Sequence, residues 1–334
     1  MRGVIAGARR RRVAQALARL VLAGLLAVTT SAAAAPGGPA PVRAAQPSTA
    51  QGGVGTAPSG AVQVWVTSVT NPIPPALSSG VAEVAVGGVH FLARKEDGSV
   101  HAVGTRYYVR DLYGEKVVPE QAQGATAIAA GWGHSLAVVG GGVVAWGNDW
   151  FGQTDVPEAA RSGVVDVSSL AFHSLALKSD GGVVSWGLRD DVPPEASSGV
   201  TAIAAGGDFN LALKDGGVVA WGINTVGQTD VPPEARSGVV SISAGWSTAL
   251  ALKADGSVVA WGSNKFGRAT PPATTASGIV AVSAGWQHNV ALTSTGRVIG
   301  WGYNRETVLS YPAATWGSGV QGVVAGDRYT VAIR

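Results

Sequence analysis

Four of the five histidines, His90, His134, His173 and His288, stand in the same local phrase, each just before a short apolar run such as "SLAVV" or "SLALK". Imidazole is the side chain suited to proton transfer near neutral pH and to metal ligation. The spacing argues against both uses. A metal centre needs ligands converging to about 2 Å from one ion, and one histidine per repeated unit, distributed around an array, does not converge. The pattern predicts a hydrogen bond carried from each unit to the next. Asp155, Asp191 and Asp230 recur in a second phrase, "GQTDVPPEARSGV" at 227–239 and its variants at 152–164 and 190–200. Carboxylates there suit turn capping; as an acid and base pair they would make the chain an exported hydrolase or lyase. No GxSxG, HExxH, phosphate-cradling or calcium-loop pattern accompanies them. The residues therefore predict a protein that is not an enzyme, with no cofactor and no metal.

The elements that carry these residues follow from the repeat. Aligned on "SGV" and its equivalents, units begin at Gly80, Gly124, Gly163, Gly199, Gly238, Gly278 and Gly319, with spacings of 44, 39, 36, 39, 40 and 41 residues. Each unit holds three short apolar runs, as in "TAIAAG", "SLAVV" and "GVVAWG" within 126–147, separated by turns such as "DGG" and "DGS". These are strand and hairpin signals. The prolines of the connecting phrase, Pro157, Pro193 and Pro232, disfavour a central strand and suit a connector. A period near 40 with three strands per unit predicts propeller blades. The last unit stops at Arg334 after its second strand, while "AVQVWV" at 61–66 supplies a spare third strand at the front. The expected fold is all-β: a seven-bladed β-propeller with short three-stranded antiparallel blades, closed by the N-terminal strand completing the C-terminal blade. Closure removes exposed sheet edges.

Composition supports this organisation. The 334 residues are 46% hydrophobic and 13% charged, enough to bury a substantial core. The 48 glycines follow no collagen period and mark turns. Residues 1–35 read as a secretory signal peptide, with Arg2 and Arg9–Arg12 before the apolar "LVLAGLLAV" and then "SAAAA". Residues 36–60 read as a flexible leader and 61–334 as the propeller. Removing 1–35 leaves 18 basic and 21 acidic residues, a net charge of −3. That withdraws the support for nucleic-acid binding, which needs clustered Lys and Arg. The expected product is extracellular and monomeric, without a membrane span once the signal is removed, and with no cysteine to form a disulfide.

"HSLALKSDGGVVSWG" and "STALALKADGSVVAWGSNKFG" resemble repeats of the regulator of chromosome condensation superfamily across about 61–334. The connecting phrase is similar to that of one branch, the secreted β-lactamase inhibitory proteins of type II. The resemblance implies a seven-bladed propeller that caps a β-lactamase or a penicillin-binding protein without chemistry. One departure is visible. Aromatics stand directly before the histidine position only at Phe172, whereas Trp132, Trp246 and Trp286 sit one residue earlier.

If the strands run up, down, up, two loop sets share one face: the turn between the first two strands and the loop leaving the third. The first set supplies Trp132, Phe172, Trp246 and Trp286; the second supplies Tyr107, Tyr108, Trp150, Phe151, Phe266 and Tyr303. Aromatics on a rigid concave surface are the composition of a protein-binding hot spot. These ten residues are the candidate partner-binding site. The same rings on a cell-wall or carbohydrate-binding propeller would stack on sugars. Trp65, Trp146, Trp186, Trp221, Trp261 and Trp301 share one repeat position and are expected to pack between blades. Two irregularities stand out: the long loop at 104–119, rich in tyrosine, and the third unit, which lacks the "NxxGQT" piece and should leave a notch in the rim.

Overall fold

The computed structural model describes residues 60–65, 73–104, 111, 113–304, 309, 319–327 and 329–334. The proposed signal and leader lie outside these residues, apart from Gly60. Strand β1 (Val62–Trp65) comes first in the chain. Sheet 1 consists of β2 (Val81–Val86), β3 (His90–Lys95) and β4 (Val100–Gly104), and sheet 2 of β5 (Ala127–Ala130), β6 (His134–Val139) and β7 (Gly142–Gly147). Sheet 3 is β8 (Val164–Leu170), β9 (His173–Lys178) and β10 (Val183–Gly187); sheet 4 is β11 (Val200–Ala205), β12 (Phe209–Lys214) and β13 (Gly217–Gly222). Sheet 5 is β14 (Val239–Ala244), β15 (Thr248–Lys253) and β16 (Val258–Gly262), and sheet 6 is β17 (Ile279–Ala284), β18 (His288–Thr293) and β19 (Val298–Gly302). Sheet 7 joins β20 (Gly322–Ala325) and β21 (Thr330–Ile333) to β1, with Val62 opposite Ile333 and Trp65 opposite Thr330. All pairings are antiparallel, and the expected exchange of the N-terminal strand into the last sheet is present.

Burial orders the strands within each sheet. The first strands are buried along nearly their whole length, whereas the third are half-buried at most positions apart from their tryptophan. The first strands of successive sheets also pack on one another, so they occupy the interior and the third strands the perimeter. Apolar clusters span neighbouring sheets: Leu211 and Leu213 of sheet 4 pack with Val239, Ile242 and Trp261 of sheet 5. Sheet 7 meets sheet 1 through Val331 and Ile333 against Val84 and Phe91. Tyr329 Oη donates there to Gly87 O (2.9 Å) and His90 O (3.2 Å).

The repeated phrase forms the connectors. Its "PEA" core is a single 3-10 turn, as at Pro194–Ala196 and Pro233–Ala235, with the alanine fully buried. The next "SGV" glycine enters the first strand with positive φ, 70° at Gly199 and 64° at Gly238, a conformation that disfavours other residues.

Two side-chain systems tie each sheet to its neighbours. Trp146, Trp186, Trp221, Trp261 and Trp301 are buried, and each indole Nε1 donates to a carbonyl in the loop leaving the preceding sheet. The acceptors are Glu115 (3.1 Å), Gln153 (2.9 Å), Asp191 (2.9 Å), Gln228 (3.0 Å) and Arg268 (2.9 Å). The side chain of Trp65 lies outside the described set. In the other direction, His90 pairs with Ser135 Oγ of the next sheet (2.7 Å), His134 with Ser174 Oγ (3.1 Å), His173 with the Asn210 amide (2.8 Å) and His288 with Thr330 Oγ1 (3.1 Å). The histidines are fastenings between sheets, as their periodicity predicts.

Candidate functional site

Four of the loops that leave third strands share one internal scaffold. In "FGQ" at 151–153, Gln153 Oε1 accepts from the Phe151 backbone N–H (2.8 Å), and its Nε2 donates to Asn148 Oδ1 (2.7 Å). Gln228 Oε1 accepts from the Val226 N–H (2.9 Å) in "VGQ" at 226–228. Glu115 takes the same place in "YGE" at 113–115, where its Oε2 accepts from the Tyr113 N–H (2.9 Å). In "FGR" at 266–268, Arg268 fastens the loop by donation: Nε to Lys265 O (3.0 Å), Nη2 to Ser263 Oγ (2.9 Å) and Nη1 to Trp286 O. The sequence reading missed this element. Its signal is an apolar residue, glycine and a long polar side chain, beginning four residues after the third-strand glycine in three of the loops and nine after it in the longer loop that holds Tyr113.

Electrostatics within the scaffold differ from loop to loop. Burial pushes the Glu115 carboxyl above its ordinary range, helped by a hydrogen bond with Asp111. Its Oε2 fills the acceptor place that Gln153 Oε1 fills in the sheet 2 loop. Burial lowers the guanidinium pKa of Arg268. It also holds His90 and His134 at about 3 and His288 at about 4, so these rings are neutral at physiological pH. Among the described residues no group of three or more His, Cys, Asp or Glu side chains is placed to hold a metal ion.

The candidate aromatics divide into two layers. Trp132 and Phe172 are 7% and 8% exposed and Trp286 only 2%. They belong to the turns between first and second strands, which adjoin the interior strands, so their rings fold inward. Trp246 lies half-buried across Gly207, where an added Cβ would come within 2.9 Å of indole ring atoms. Small residues in adjacent turns make room for these large rings. The outer layer consists of Trp150, 54% exposed, Phe266, 47% exposed, and half-buried Phe151 and Tyr303. Tyr107 and Tyr108 lie outside the described residues.

Most of the rings form one continuous group. Tyr113 packs on Trp150 (centroids 5.1 Å apart) and on Trp132 (5.8 Å), Trp132 on Phe172 (5.5 Å), and Phe172 on Phe151 (5.0 Å). Val89 and Leu188 complete the group, and Trp246 joins it to Trp286 at 6.0 Å. Phe266 and Tyr303 pair separately at 4.6 Å. Tyr113 was not among the ten candidates, yet it packs on both Trp132 and Trp150. The arrangement can offer a preformed apolar surface, rigid because its inner layer is packed core.

The sequence pattern described as the regulator of chromosome condensation (RCC1) repeat matches at residues 200–228, 239–268 and 279–306, within the units of sheets 4, 5 and 6. The mitochondrial RCC1 domain-containing protein RUG3 of Arabidopsis thaliana is 26% identical over 189 residues, 43% of this chain. That match spans 42% of the plant protein's length. Among solved structures, Prp20p of Saccharomyces cerevisiae aligns with a TM-score of 0.63 at 19% identity, covering 84% of this chain and 92% of that one. Human WBSCR16 aligns with a TM-score of 0.55 at 18% identity, covering 92% and 98%. Three of the repeated units thus match the RCC1 repeat, and the all-β arrangement of seven three-stranded sheets is similar in fold to these solved structures.

Proposed function

We propose that the protein is an exported, non-catalytic binding propeller, a ring closed by its own two ends, whose loop face docks on a protein partner. The observation that carries this reading is the aromatic group just described: Trp150, Phe151 and Trp246 present apolar surface over a packed second layer of Trp132, Phe172 and Trp286. Ordered aromatic anchors give up little conformational entropy on binding. The solved relatives are compatible with such a role, since Prp20p is described with binding properties toward Gsp1p and histones, and yeast RCC1 has been crystallised bound to Kap60.

The connecting phrase resembles that of the β-lactamase inhibitory proteins of type II, and it supplies the candidate partner, a β-lactamase or penicillin-binding enzyme capped at its substrate entrance. The test is titration of the mature protein into a class A β-lactamase with a chromogenic substrate, alongside a penicillin-binding protein with a fluorescent penicillin. Stoichiometric loss of turnover or labelling, relieved by Trp150→Ala, is expected. Sedimentation with purified peptidoglycan and no effect on either enzyme would replace this partner by a glycan, and new products from the glycan would restore the enzyme reading.

A further inference from the structure

We propose that the sector of the loop face over sheets 2, 3 and 4 receives a basic segment of the partner, with arginine or lysine side chains laid between Trp150 and the carboxylates of the sheet 3 notch. The inference rests on the protein-binding reading and adds the chemistry of the partner. Three observations carry it.

The first is charge. The described turns and loops of this sector hold six carboxylates and a single cation. Asp149, Asp190 and Asp191 are exposed, and Asp208 is half-buried. The one cation, Arg189, is already engaged, its Nη2 lying 3.3 Å from Asp208 Oδ1. The lysines of the second strands cannot neutralise the sector. They stand at the opposite ends of those strands, where Lys178, Lys214 and Lys253 donate to the connector carbonyls of Ala159, Glu195 and Glu234.

The second is that the carboxylates adjoin apolar surface. Leu188 packs in the group formed by Phe172 and Phe151, and its backbone N–H donates to Phe172 O (3.0 Å). Asp190 and Asp191 follow within three residues. Sheet 3 lacks the longer loop of its neighbours, and both carboxylates are exposed among the described residues. A guanidinium satisfies both halves of such a surface, stacking on an aromatic face while its N–H groups pair with carboxylates.

The third is a comparison inside the molecule. Phe266 holds the same place in its loop as Phe151, four residues after the third-strand glycine. There Lys265 Nζ lies 5.2 Å from the centroid of the Phe266 ring. In the sheet 2 loop the lysine position is Trp150. Among the described residues the fold sets a cation over Phe266 and none over Phe151 or Trp150.

The test uses the mature protein and fluorescein-labelled octa-arginine, octa-lysine and octa-glutamate peptides, read by anisotropy and by the Trp150 emission difference between wild type and Trp150→Ala. Octa-arginine is expected to bind. Its affinity should fall about tenfold or more in the double variant Asp190→Asn/Asp191→Asn, as two charge contacts are lost, and about as much again on raising salt from about 50 to about 300 mM. Octa-glutamate should not bind. Because both substitutions are exposed and conservative, folding is checked by an unchanged melting curve. Absence of octa-arginine binding, equal binding of octa-glutamate, or an affinity untouched by the double variant overturns the proposal. If enzyme capture still depends on Trp150 while these peptides fail, the binding face stands and only its charge preference is wrong.

Discussion

Acidification should unfasten the sheets, and His134 gives the sharpest measure of it. Its ring is fully buried, its Nε2 lies 3.1 Å from Ser174 Oγ and 2.8 Å from Ser169 Oγ, and burial lowers its pKa from 6.5 to about 3. The other groups that shift it are His90 and His173, both buried. The unfolded chain takes up a proton at this residue near pH 6.5, whereas the folded chain does not until near pH 3. Stability contributed by the neutral ring is therefore present above pH 6.5 and is lost progressively down to about pH 3. The slope is about 1.4 kcal/mol per pH unit for one proton, or roughly 2 kcal/mol between pH 6.5 and 5. His90, held at about 3, and His288, held at about 4, act in the same sense. Glu83 and Glu115, whose pKa values burial raises, act in the opposite one, so the net slope of the wild type is a sum. The isolating measurement is urea unfolding of wild type and His134→Gln at several pH values between 5 and 6.5. The variant is expected to be less stable at pH 7 and to show a slope smaller by about one proton. Equal slopes in the two proteins would refute the claim that His134 is held neutral by its burial.

Other perturbations separate scaffold from surface. Trp261→Ala removes a buried ring and its hydrogen bond to Gln228 O, and should cost about 3–5 kcal/mol in chemical denaturation; Trp150→Ala, at an exposed ring, should cost under about 1 kcal/mol. Glu115→Gln should keep the contact to the Tyr113 N–H. A group with a raised pKa stabilises below its unfolded value and loses that effect as pH rises, so the near-ultraviolet dichroism of the Tyr113–Trp132–Trp150 group should lose pH dependence in this variant. Deleting 60–65 strips β1 from β21 and leaves an open edge in sheet 7. A lower melting temperature, with self-association seen by size exclusion, is the expected result.

The period of the sequence made the seven sheets legible, and even the exchange of the N-terminal strand, because "AVQVWV" completes the unit that Arg334 leaves short. The role of the histidines was legible for the same reason, since a side chain repeated once per sheet meets the same neighbour each time. Exposure of the aromatics was not. How far Trp132 or Trp246 faces solvent depends on how turns from different sheets meet, and small residues far away in the chain, Ala171 beside Trp132 and Gly207 beneath Trp246, decide this. The loop scaffold escaped notice because its anchoring residue is Gln in two loops, Glu in a third and Arg in a fourth. Only the hydrogen bonds reveal these as one position.

The indole fastenings have a bearing on how such loops can diversify. Each one grips a main-chain oxygen, which Glu115, Gln153, Asp191, Gln228 and Arg268 supply equally well despite their different side chains and, for Asp191, a shorter loop. The grip is indifferent to spelling. Tips can therefore be exchanged, shortened or randomised between two fixed pegs without loosening the frame, which makes the chain a natural host for grafted recognition segments.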